Sequence, residues 1–269
     1  AAMPEQASSH EASGSPGSAG VAFIVCHGSF NPVHRHHVEV MVKARARLES
    51  AGYRVVAGIL APISRVSIVC WKAVAAVADE HRFAALRLAC EAAGEPPGWL
   101  YCDVRGVRFG ACHKVISQIL LPEFEEKFPG IVGFEVKGAD VAVSHSAHRH
   151  DLWCPCVIVG RTEYTTKLQA GLDAAKTGEA GEGQQLYILS EELPGAVSST
   201  RLREALRQGD EAVVRSLCPE RVAEYLLARR TTLFLGPAMG CTPESAAWTD
   251  GPWTELANGH SGEDAEAGA

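Results

Sequence analysis

Residues 26–37 read CHGSFNPVHRHH and follow directly on the apolar run Val21–Val25. Imidazoles arriving where a buried strand ends and a helix starts could hold an anion. A helix N-terminus attracts negative charge and offers unpaired amides. His34 and His37 are three residues apart, so on a helix beginning near Val33 they share one face as two donors aimed at a single ligand. Gly28 brings conformational freedom and no side chain, which lets an anion approach its amide. Pro32 presets φ for a helix start, where its missing N–H costs nothing. Two other readings stay open: a solvated first turn, or zinc ligation by the two imidazoles. Zinc usually takes helical imidazoles four apart, or a carboxylate or thiolate beside them, and zinc ligation would leave the glycine turn unexplained.

A second constellation lies at VSSTRLR, residues 197–203. One helix cap needs one hydroxyl, yet Ser198, Ser199 and Thr200 supply three. Arg201 and Arg203 follow where positive charge opposes the helix dipole. That surplus suits a polyanion, with a plainly capped helix as the competing explanation. KGAD, residues 137–140, reads locally as a strand-to-helix turn with Asp140 as its cap. HSAHRHDLWCPC, residues 145–156, holds His145, His148, His150, Cys154 and Cys156 and could ligate zinc, though its spacing matches no common zinc module. The Cys154-Pro-Cys156 pair lacks the two-residue spacing of thioredoxin-like redox sites.

Elements that would position these groups alternate along the chain. Apolar runs predict strands over 21–25, 54–61, 100–104, 132–136, 156–160 and 185–189. Helical patterns occupy 34–50, 72–93 and 111–128, with further helices between Thr200 and Arg229. Strand and helix in regular alternation predict an α/β, Rossmann-like, doubly wound parallel sheet. Ligands on such sheets bind at the carboxyl ends of the strands, where strand order reverses.

Composition divides the chain. Residues 1–20 and 231–269 read as disordered tails around one domain over 21–230, the C-terminal tail being acidic. Of the formal charge of −7, Glu5 and Glu11 account for −2 and the six acids after residue 237 for −6, leaving about +1 for the domain. A near-neutral domain without a basic stripe argues against non-specific nucleic-acid binding. Nine scattered cysteines suit a reducing compartment. No signal-like start and no membrane-length apolar run predict an intracellular protein, cytoplasmic or nuclear, with no membrane partner.

GSFNPVHRHH resembles the signature loop of the nucleotidyltransferase superfamily, which carries an HxGH-type motif. The GSFNP lead is most similar to the nicotinamide/nicotinate mononucleotide adenylyltransferases, and His36 in place of the motif's glycine is nearest to their eukaryotic branch. VSSTRLREAL resembles that family's ISSTxxR motif, about 170 residues downstream of the loop. SLCPERVAEYL and EHRFAALRLACEA resemble two of its helices. The resemblance implies adenylyl transfer from ATP, with Mg²⁺, to a mononucleotide, releasing pyrophosphate, and leaves a homo-oligomer open. It implies a catalytic set of His34, His37 and Arg203. For ATP it implies Gly28, Ser29, Phe30, Gly138, Asp140, Ser198, Ser199 and Thr200. For the mononucleotide it implies Trp153, stacking on the base, with Arg65 or Lys72 replacing a lysine-rich loop that ISRVSIVCWK lacks. A second departure follows strand 100–104, where the family's Trp-Glu pair is VRGVRF and Arg105 changes the sign of the local charge. The segment after Val159 also lacks the family's usual Gly and Asp positions, although Arg161 remains. These departures fall mainly on the acceptor side, so another phosphorylated acceptor or a non-catalytic nucleotide-binding relative are the competing readings.

Overall fold

The computed structural model describes residues 19–71, 75–94, 96–144, 154–161, 164–176, 186–193 and 197–234. Nearly all of both expected tails lies outside them, with Gly20 of the N-terminal one opening β1. Chain order is β1 (Gly20–Gly28), α1 (Arg35–Ser50), β2 (Tyr53–Pro62), α2 (Asp79–Glu91), β3 (Leu100–Cys102), α3 (Cys112–Val115), α4 (Leu121–Glu125), β4 (Val132–Gly138), α5 (Ala139–Ser144), β5 (Cys156–Gly160), α6 (Tyr164–Lys176), β6 (Leu186–Glu192), α7 (Ser199–Gln208), α8 (Glu211–Leu217) and α9 (Glu220–Ala228).

All six strands are parallel, in the order β3-β2-β1-β4-β5-β6. This is the doubly wound α/β arrangement, with strand order reversing between β1 and β4. Each predicted strand is present. Central strands of such a sheet are buried on both faces, which explains why β1 reads as a continuous apolar run instead of alternating. Ala22 and Ile24 join the core beneath α1, α2 and α7–α9, while Phe23 and Val25 join the core beneath α3 and α4.

Helix α1 buries Val38, Met41, Ala44 and Leu48, at spacings of three and four that make one apolar stripe. It begins with His34 as N-cap, slightly later than the predicted start near Val33. The predicted helix 72–93 starts only at Asp79, after a π-helical turn over Ser67–Trp71. The predicted helix 111–128 is α3 and α4 joined by a π-helical stretch, Ile116–Leu120. Helices α5 and α6 were not predicted. After α9 the chain remains docked: Leu233 is fully buried and its carbonyl accepts from the Ala78 amide at 2.8 Å. Among the described residues no helix is long and apolar enough to cross a membrane.

Close packing explains one glycine in the sheet. A Cβ on Gly133 would lie 2.6 Å from the Phe23 ring and 2.7 Å from Ile116. Phe23 can therefore cross β4 to stack on Phe124, with centroids 4.6 Å apart.

Candidate active site at the sheet switch point

Strands β1 and β4 pair over Ala22–Val25 and Val132–Glu135 and run on to Gly28 and Gly138, where the β1–α1 loop and α5 begin. Gly28 itself is extended and carries no positive φ; the left-handed residue is Phe30, at φ 42°. This corrects the expectation that Gly28 supplies conformational freedom. A Cβ there would lie 3.3 Å from the Phe30 ring, so the missing side chain makes room for that ring. Phe30 is buried and meets His37 edge-on, at 4.9 Å between centroids. Its burial offsets a backbone conformation that costs on the order of 1–3 kcal/mol.

Pro32 precedes the N-cap by two residues and so does not occupy the first helical position. Its carbonyl accepts from the Ser199 hydroxyl at 2.9 Å. Neighbouring Asn31 is almost fully buried behind a cis Asn31–Pro32 bond. Its side-chain amide donates to the Ala75 carbonyl at 2.9 Å and accepts from the Val77 amide at 2.7 Å, and its carbonyl accepts from Arg203 Nη1 at 2.7 Å. The loop is thus fixed from two directions.

His34 and His37 stack, with centroids 3.7 Å apart and planes 26° from parallel. The His34 amide donates to His37 Nδ1 at 3.1 Å. An Nδ1 that accepts cannot carry a proton, so neutral His37 holds its proton on Nε2 and donates from that edge. His34 is buried, and its Nδ1 has no hydrogen-bond partner among the described residues. Burial first, then the charges of His37, His36 and Arg161, hold its pKa well below 6.5. His34 is therefore a neutral donor at physiological pH. His36, the motif's variable position, is buried as well, with Nε2 3.6 Å from Glu39 Oε2.

Across the crevice Ser198 caps α7, its hydroxyl accepting from the Arg201 amide at 3.2 Å. Ser199 reaches the loop, as described, and Thr200 accepts from Arg203 Nη2 at 3.0 Å. Arg203 is buried. Burial, followed by the charge of Arg207, lowers its pKa from the usual arginine value. The two sequence motifs are therefore bonded to each other, and part of the hydroxyl surplus is structural. In the first turn of α5, directly after β4, Asp140 lies against Gly138, where a Cβ would be 2.5 Å from its Oδ1. Asp140 pairs with Arg161 Nη1 at 2.9 Å, and Arg161 Nη2 donates to the Val197 carbonyl at 3.4 Å. Arg161 thus links the start of α5 to the α7 entry. In the sequence Arg161 stands out only as the residue that remains of the family pattern after Val159, with no stated role.

The acceptor-side residues are less gathered. Arg65 is exposed on a helical turn after β2. Trp153 and Lys72 lie outside the described residues. Arg105 does not add net positive charge, because it pairs with Asp103 at 2.7 Å and with Glu123. Of the alternative zinc ligands, the three histidines lie outside the described residues. Burial pushes the thiol pKa of Cys154 up to about 11 and that of Cys156 up to about 12. All eight described cysteines are free.

Fold and crevice define a doubly wound α/β protein with imidazoles and arginines, and the carboxylate Asp140, gathered at its switch point. No protein-family model matches the chain. The chain is 28% identical over 215 residues to a protein of Chromohalobacter salexigens named "Probable nicotinate-nucleotide adenylyltransferase", covering 75% of this chain and 91% of that one. This likeness supports a nucleotidyltransferase relationship.

Proposed function

We propose that the protein transfers the adenylyl group of ATP to nicotinate or nicotinamide mononucleotide, forming the dinucleotide and pyrophosphate. The observation that carries this reading is the bonded junction of the GSFNPVHRHH loop with α7, which gathers His34, His37 and Arg203 around one helix start at the switch point. The name of the C. salexigens relative supports the same donor chemistry and favours the nicotinate acceptor.

An oxygen of the acceptor phosphate attacks the α-phosphorus of ATP while the bond to the β-phosphate oxygen breaks. Such in-line transfer needs no protein nucleophile; it depends on alignment and on stabilising the charge that moves to the leaving group. His37 donates from Nε2 to the phosphates. His34, neutral and with an unpartnered ring nitrogen, gains a phosphate partner that offsets the cost of its burial. Amides of Ser29 and Phe30 meet the α-phosphate. Arg203 and the hydroxyls of Ser198, Ser199 and Thr200 hold the departing pyrophosphate, while Gly138 and Asp140 line the nucleotide side. Trp153 stacks on the acceptor base, and Arg65 or Lys72 meets its phosphate. Mg²⁺ suits this donor set as an ion carried on the triphosphate and water, because Asp140 is engaged by Arg161. Bound there, it supplies charge neutralisation to the phosphates.

Incubation with ATP, Mg²⁺ and each mononucleotide, with dinucleotide and pyrophosphate both measured, tests the proposal. Equimolar dinucleotide and pyrophosphate are expected. ATP binding without turnover on either acceptor would overturn catalysis and favour the nucleotide-binding alternative. Turnover only with another phosphorylated acceptor would overturn the acceptor assignment.

A further inference from the structure

Arg82 is the largest fully buried side chain in the molecule as described, and no step of the proposed reaction uses it. Four of its five N–H donors are engaged. Nη1 donates to the Ser29 carbonyl at 2.9 Å and to the Ile63 carbonyl at 2.8 Å. Nε and Nη2 donate to Asp79 Oδ1 at 3.2 and 2.8 Å. The two carbonyls belong to different parts of the crevice: Ser29 to the loop after β1 and Ile63 to the loop after β2. The start of the second loop is also tied to β1, the Ile63 amide donating to the carbonyl of Gly28 at 2.9 Å.

A buried cation is costly unless its donors are satisfied, and one carboxylate alone would leave the Nη1 edge unpaired. Here that edge is filled by main chain from two loops. A planar guanidinium can bridge two carbonyls while its other edge grips a carboxylate; a lysine ammonium is a point charge without that fork. Arg82 thus sets the distance between a loop that meets the donor and a loop that leads to Arg65. We propose that Arg82 is a positioning residue that holds the nucleotide-side and acceptor-side loops in register for in-line attack. This inference rests on the proposed adenylyl transfer for its kinetic consequence, but the clamp itself has a readout independent of activity.

In-line transfer is sensitive to displacement of about 1 Å, so a loosened clamp affects alignment more than the affinity of either substrate. Arg82→Lys is expected to lower kcat at least tenfold while KM for ATP and for the mononucleotide each change less than threefold. In the same variant, hydrogen exchange at the Ile63 amide should accelerate at least tenfold, with the β1–β4 ladder unchanged. Asp79→Asn, which keeps Arg82 but weakens its anchor, should shift both readouts the same way by less and serves if Arg82→Lys fails to fold. Unchanged Ile63 exchange in a folded variant would overturn the positioning role. A rise confined to one KM, with kcat intact, would overturn it too. Faster Ile63 exchange in a protein whose native form makes no dinucleotide would leave the clamp standing and remove the reaction instead.

Discussion

At the residue scale, the hydrogen bond from the His34 amide to His37 Nδ1 selects the tautomer that presents Nε2–H. His37→Ala should lower kcat by about two orders of magnitude with the fold intact, the usual cost of losing a donor to developing charge. Circular dichroism alongside turnover checks this, and full activity would remove His37 from the mechanism. His34 carries a pH signature. Its folded pKa lies well below 6.5, so below pH 6.5 the unfolded chain binds a proton that the folded one refuses. Stability should therefore fall as pH drops from 6.5 toward the folded pKa. His34→Gln should flatten that slope in urea titrations; an unchanged slope would mean that His34 titrates normally. Residue types and spacing made these imidazoles legible in the sequence. The reason for Gly28 was not, because it lies in the ring of Phe30, and neither was Arg82, which reads as one more charged residue on an amphipathic helix.

At the element scale, the site depends on how loop and helix ends are tied together. Asn31 satisfies the Ala75 carbonyl and the Val77 amide from a buried position. Asn31→Ala orphans both and should destabilise the protein by about 2 kcal/mol or more, read from denaturant midpoints. Gly138→Ala would place a methyl 2.5 Å from Asp140 Oδ1 and so displace the Asp140–Arg161 pair. The expected result is weaker ATP binding by calorimetry with little change in melting temperature. Every strand was legible because each is an apolar run bounded by turn residues. Helix α5 was hidden because six residues are too few to show a period, and α6 because its sequence, YTTKLQAGLDAAK, follows a segment read as a departure from the motif pattern. The late start of α2 reflects an apolar stretch after Pro62 whose local pattern is helical but whose first turn is a π turn.

At the scale of the whole molecule, strand order places the ends of β1 and β4 together, and α1 and α7 bring their N-termini to that point. A segment near residue 30 and another near residue 200 form one site only because of this topology. Ordering two motifs along a chain suggested their partnership, but the bonds of Ser199 and Arg203 to the loop needed three dimensions. Gly133→Ala probes the sheet that sets this geometry: a methyl 2.6 Å from Phe23 should cost about 1–3 kcal/mol, measured by chemical denaturation. The central claim is that the switch-point crevice moves the α-phosphate of ATP to a mononucleotide. It is tested most directly by following ATP labelled at the α-phosphate, with Mg²⁺ and nicotinate mononucleotide, through a single turnover. The account predicts that the label appears in the dinucleotide at the rate pyrophosphate forms. Label released as free AMP, or retained in ATP while ATP stays bound, would contradict it.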